Sequence, residues 1–162
     1  MATPTTLPAS FTAGQVLTAA QMNDLRGAFR IMQIVYASTT TQATSTSATF
    51  ATTNLAATIT PSATSSKVLI LANVHTSSNA AGQFTGLRIY DGASAILTNN
   101  RAFMQPAAGD GGALVSLLYL DSPATTSAKT YTIQFARTAG AGSSVVQGNS
   151  EPSTIVLCEV SA

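Results

Sequence analysis

Side chains able to do acid/base, nucleophilic or metal chemistry are scarce in this sequence. One His (His75), one Cys (Cys158) and six carboxylates (Asp24, Asp91, Asp110, Asp121, Glu151, Glu159) are nearly the whole inventory of its 162 residues. A nucleophile needs a base, and the base needs an orienting partner. His75 has no second His, Cys or carboxylate close to it in sequence, so neither a triad nor a zinc site assembles around it, and a surface or interface His is expected. Asp110 stands in Ala-Gly-Asp-Gly-Gly, which lacks the Lys and Ser/Thr of a phosphate loop and the alternating acids of a calcium loop. Asp121-Ser122-Pro123 reads as a turn whose carboxylate accepts backbone amides. No Ser sits in a Gly-x-Ser-x-Gly elbow. Arg88 and Arg101 are expected to pair with Asp91, Asp110 or Asp121, or to ring an oligomer interface. Tyr90, Tyr119 and Tyr131 fall at apolar strand positions and belong to the core first. The reading is therefore of a structural or binding protein with no catalytic residue, no cofactor and no metal.

Composition supports that reading. Charged residues make up 8% of the chain, about a quarter is Ser or Thr, and there is no Trp. The 45% hydrophobic content gives enough apolar surface to offset the entropy of folding. Seven cations against six anions leave a net charge of +1, with no basic stripe for nucleic acid. Cys158 has no partner for an intrachain disulfide and lies in an alternating apolar run, as a small buried hydrophobe would. The first twenty residues lack a secretory pattern, and no window approaches the ~18 apolar residues of a spanning helix. A soluble protein without membrane insertion or a standard export signal is expected.

The elements that would position these residues change character near residue 33. Pro4 and Pro8 favour an extended arm with Leu7 and Phe11 as apolar handles. Thr18 followed by Gln21 forms a capping box, with Leu17 and Met22 as its hydrophobic staple, so a short helix starts there. Met22, Leu25, Phe29 and Met32 share one stripe of that helix; it either docks on the chain's own sheet or joins a bundle on a symmetry axis. Gly27 is a local weakness in it. Phe11, Leu17, Met22, Leu25, Phe29 and Met32 are the candidate attachment and oligomerisation residues, and residues 1–33 the attachment unit.

Residues 34–162 read as the β domain. Apolar runs alternate with turn residues, giving strands at 34–37, 48–52, 56–60, 67–75, 84–90, 95–98, 113–120, 129–136, 144–147 and 154–160. Their spacing of about 8–12 residues predicts an all-β, antiparallel, jelly-roll-like sandwich. The runs 67–73 and 113–120 are nearly continuous in hydrophobicity, which suits central strands covered on both faces, by the facing sheet and by a neighbouring subunit or the helix. Asp91-Gly92 predicts a hairpin, and Pro61 and Pro123 close strands.

Three segments carry a family likeness: residues 58–71 (TITPSATSSKVLIL), 119–134 (YLDSPATTSAKTYTIQ) and 153–160 (STIVLCEV). Together they resemble the small β-sandwich modules of tailed-bacteriophage virion proteins, especially tail-fibre and minor tail proteins, over residues 33–162. Residues 11–23 (FTAGQVLTAAQMN) resemble the short segment that attaches many phage tail-associated proteins to the particle. The resemblance implies a tail-associated structural protein of the virion, assembled in the bacterial cytoplasm. Its implied partners are other virion proteins, further copies of itself as a homotrimer, and a host-surface glycan or protein. A capsid-surface decoration or head-fibre protein is the alternative. A carbohydrate-active enzyme is a remote third, weakened because most of the carboxylates sit in turn or cap contexts and no pair is evident.

Overall fold

The computed structural model describes residues 31–105 and 111–161, together with 14, 16, 18 and 19. Within them lie β1 (Ile31–Thr39), β2 (Ala43–Ser45), β3 (Ala51–Ile59), β4 (Lys67–Ser78), β5 (Phe84–Tyr90), β6 (Ala95–Met104), β7 (Gly111–Asp121), β8 (Lys129–Ala139), β9 (Ser144–Val146) and β10 (Ser153–Val160). A single 3-10 turn, Gly148–Ser150, joins the last two strands.

All pairings are antiparallel and form two sheets. The first runs β1-β10-β4-β7, with the short β9 and β2 continuing from the far end of β4. The second runs β3-β8-β5-β6. Along the chain the eight long strands pass between sheets in the double Greek-key order of a jelly roll, which is the architecture the strand spacing predicted.

Alternation places the core. Ile155 and Leu157 of β10, Val68, Ile70, Ala72 and Val74 of β4, and Leu117 of β7 point inward from the first sheet. Leu55 and Ile59, Leu87 and Ile89, and Tyr131, Ile133 and Phe135 meet them from the second. Each fully buried aliphatic or aromatic side chain contributes about 1.5–3 kcal/mol.

Four expectations need revision. The strands expected at 48–52 and 56–60 are one strand, β3, interrupted by a bulge where the register shifts between Thr52 and Ala56 and Asn54 adopts φ 63°. Asn tolerates that left-handed backbone, so a polar residue that reads as a break is the hinge of a continuous strand. β6 runs to Met104, past the expected end at Thr98, because ladder bonds to β5 carry its polar middle. β2 is three residues of Ala, Thr and Ser, too short for any periodicity to announce it. Finally, β1 begins at Ile31, so Met32 stands on a strand at a register shift and not on a helix. Phe11, Leu17, Met22, Leu25 and Phe29, with the arm and helix expected around them, lie outside the described residues.

Candidate functional site: the outer face of the first sheet

The outward residues of the first sheet line up in rows set by strand register. Ile34, Cys158, Leu69 and Leu120 form one row across β1, β10, β4 and β7. Tyr36, Val156, Leu71 and Leu118 form the next. Every side chain in both rows is apolar or a thiol, and the rows are open at the β1 and β7 strands, with Cys158 buried between them. Ile34 is 63% exposed, Tyr36 62% and Leu118 65%, with Leu71 and Leu120 exposed beside them. Leu114, two row positions further along β7, is also exposed, at 60%. Residues on one face repeat about every 6.8 Å along a strand and strands lie about 4.8 Å apart, so the two complete rows alone cover on the order of 300 Å². A contiguous apolar patch of that size matches the largest one on a typical monomer, which is often functional.

A polar rim follows. The next row is Ser38, Thr154, Asn73 and Ser116, in which the Ser116 hydroxyl donates to Asn73 Oδ1 at 2.6 Å. An apolar centre bounded by hydrogen-bonding groups is the usual anatomy of a protein interface.

The outer face of the second sheet is its opposite in chemistry. Thr58 and Thr130 share a 2.7 Å hydrogen bond between hydroxyls. Arg88 Nε donates to Gln134 Oε1 at 2.7 Å, and its guanidinium lies 4.5 Å from the Phe50 ring centroid and 5.6 Å from that of Tyr90. Arg101 stacks 4.6 Å from the Phe84 centroid. Of the carboxylates expected to pair with these arginines, Asp91 instead holds Lys129, Asp121 the Tyr131 hydroxyl, and Asp110 lies outside the described residues; the guanidinium groups rest on aromatic rings. Tyr90 correspondingly lies on this outer face, whereas Tyr131 is fully buried and Tyr119 packs against the core.

Asp91, Asp121 and Glu159 serve the fold. Asp91 pairs with Lys129 at 2.8 Å, the ion pair found among the described residues, and its Oδ1 accepts the amides of Ala93 and Ser94 in the β5–β6 hairpin. The Lys129 hydrogen bond, then the Ser94 amide, hold its carboxyl down at about 2. Asp121 accepts from the Tyr131 hydroxyl across the sandwich and not from turn amides, which corrects its expected role. Glu159 is fully buried at the inner end of β10. Burial alone would raise its pKa. The Ser62 hydroxyl, Ser66, the Gln33 amide and the Ser62 backbone N–H outweigh that and hold it at about 2. A lone acid in an alternating run gave no sign of this network, because its donors come from β1 and the β3–β4 turn.

Cys158 is buried within the outer row despite facing away from the core, as its apolar surroundings predicted. His75 follows the apolar rows on β4, in register with Leu114. Asp24 and Asp110 lie outside the described residues. Among the described residues no cluster of three His, Cys, Asp or Glu could hold a metal ion.

The chain is therefore an antiparallel jelly-roll β-sandwich with one polar and one apolar outer face. No family model and no curated protein matches its sequence. Among solved structures it is similar to that of infectious bursal disease virus, Gx strain, at TM-score 0.45 and 15% identity, covering 80% of this chain and 37% of that one. The VP2 subviral particle of the same virus gives 0.43 and 15%, over 82% and 39%. The cyanophage Pam1 capsid asymmetric unit gives 0.36 and 16%, over 96% and 99%. The chain spans well under half the length of the infectious bursal disease virus chains it matches.

Proposed function

We propose that this chain is a structural protein of a bacteriophage virion, associated with the tail, and that its sandwich assembles by burying the outer face of the first sheet against further copies of itself. The observation that carries the reading is the pair of exposed apolar rows running from edge strand to edge strand. Those rows hold no charged residue, so nothing in them selects an oppositely charged partner. A particle component present in many copies meets its own surface most often, and the apolar rows with their polar rim supply about half of the ~800 Å² that each partner contributes to a standard interface. A trimer is the assembly proposed. The segments that resemble phage modules form the β3–β4 turn, the β7–β8 connection and β10, and so belong to the sandwich itself.

The role proposed is structural, with no catalytic residue assigned. Antibody labelling of purified particles tests the assignment. Signal on the tail supports it, signal on the shell replaces the tail with capsid decoration, and unlabelled particles refute a virion role.

A further inference from the structure

The apolar rows end at two strand edges. Among the described residues β7 pairs with β4 alone and β1 with β10 alone, so each strand carries one side of unshared backbone groups. Strand register says which groups these are.

Within β4 the His75 N–H donates to Ser153 Oγ at 2.9 Å and its carbonyl accepts from the Gln147 N–H at 3.1 Å. The odd-numbered residues of β4 therefore turn their backbone groups toward β10 and β9. Backbone direction alternates along a strand, so the even-numbered ones turn toward β7. The Thr76 hydroxyl accordingly reaches the carbonyl of its register partner Ala113, at 3.2 Å. Register then ties Ala113, Val115, Leu117 and Tyr119 to β4 and leaves the N–H and C=O groups of Leu114, Ser116, Leu118 and Leu120 at the open edge. Carried the other way through β10, the same alternation ties Val35 and Ala37 to Leu157 and Ile155, and leaves the groups of Ile34, Tyr36 and Ser38 open.

The residues with open backbone groups are those whose side chains form the outer face. Opposed residues in an antiparallel pair share a face, so a second copy's β1 laid along β7 carries the apolar rows from one subunit into the next. Strand direction permits it. Three antiparallel steps separate β1 from β7, so the two edges run oppositely, and a three-fold axis parallel to the strands keeps them so. With no shift along that axis Leu118 meets Tyr36, Leu120 meets Ile34 and Ser116 meets Ser38, each the member of its own row on the other edge. Pairing β7 with β7 about a two-fold axis would leave both β1 edges open, whereas β7 with β1 around a ring leaves none.

Edges that must stay single are blunted by charges, prolines or bulges. In the second sheet β3 has its bulge at Asn54, and β6 has Arg101 and two register shifts against β5. The stretches 33–39 of β1 and 111–120 of β7 contain no charged residue, no proline and no register shift. We infer that β7 of one copy hydrogen-bonds edge to edge with β1 of the next, joining the first sheets of three copies into one closed ring. The inference rests on the assembly proposed through the outer face and specifies the junction between neighbours.

A chain carrying both Ser38→Cys and Ser116→Cys tests the junction. Hydrogen-bonded antiparallel partners have Cα atoms about 5.5 Å apart, within the span of a disulfide. Oxidation should give covalent dimers and trimers and nothing longer on non-reducing gels, while either single variant stays uncrosslinked, since Cys158 is buried. Amide exchange of the native chain needs no substitution: Tyr36 and Leu118 should exchange as slowly as Val35 and Leu117, which the sheet already holds. A native trimer in which they exchange about a hundredfold faster would overturn the junction and leave assembly through the face standing. Covalent dimers from Ser116→Cys alone would overturn it in favour of β7 with β7, and products longer than a trimer would overturn the closed ring. Slow exchange with no covalent product from the double variant would overturn the unshifted register. A monomeric native chain would overturn both the inference and the reading on which it rests.

Discussion

The Tyr131 hydroxyl donates to Asp121 Oδ2 at 2.6 Å, joining β8 of one sheet to the end of β7 in the other. The ring fills the core, while the hydroxyl satisfies a carboxylate at the end of the sandwich. Asp121 shares a row with Val68 and Glu159, so the two inward carboxylates of the first sheet flank one buried valine. Each is answered by donors from another element.

Alkaline stability should follow from that bond. Burial first, and then Asp121, push the Tyr131 phenol well above the ordinary range. A group whose folded pKa is raised stabilises the fold fully below its unfolded pKa, about 10 for Tyr, and that contribution fades as pH rises beyond it. Tyr131→Phe should cost about 1–2 kcal/mol at neutral pH, by leaving the carboxylate short of a donor, and should flatten the fall in stability above pH ~10. Chemical denaturation at pH 7 and above pH 10 checks both.

Acid sensitivity should come from Glu159 and Asp91, each held at about 2. Depressed pKa values mean stability that is present above the unfolded values of 4.5 and 3.8 and lost as pH falls toward 2. Glu159→Gln should lower stability by about 2 kcal/mol at neutral pH and make the melting temperature nearly independent of pH between roughly 4 and 2, apart from the share due to Asp91. Melting curves across that window, with Asp91→Asn alongside, separate the two contributions.

Truncation should be sensitive to a few residues. Gln33 Nε2 donates to Glu159 Oε2 and to the Thr60 carbonyl, each at 2.6 Å, so the β domain begins before residue 33. A chain starting at Ile31 should unfold in one cooperative transition. One starting at Ile34 should melt several degrees lower, since about 1–2 kcal/mol shifts a domain of this size by roughly 2–8 °C. Equal melting temperatures would show that Gln33 contributes nothing to the fold.

Much of this was legible from residue order alone. Period-two alternation and turn spacing located most of the strands and the sandwich, and β5 at Phe84–Tyr90 was placed to the residue. Asp91-Gly92 marked its hairpin, where Gly92 adopts φ 91°. The continuous runs in β4 and β7 pointed to central strands covered on both faces; β4 is central, but β7 pairs only with β4 at the sheet edge and its Leu114, Leu118 and Leu120 are exposed. Register was not legible, because pairing across 80 or more residues, such as Cys158 with Leu69, leaves no local trace. Hence the rows of the outer face, the Glu159 network and the open edges of β1 and β7 emerge only when distant strands are laid side by side. Asn54 misled for a related reason: its left-handed conformation is imposed by the β3–β8 pairing.

Sedimentation velocity of the full chain, compared with Leu118→Lys, tests assembly through the apolar face most directly. Leu118 is 65% exposed and makes no part of the core, so a lysine there should leave the melting temperature unchanged while placing a charge at the centre of the contact. The native sequence should sediment as a trimer at micromolar concentration and the variant as a monomer. A native chain that sediments as a monomer, or a variant that associates as well as the native chain, would contradict it.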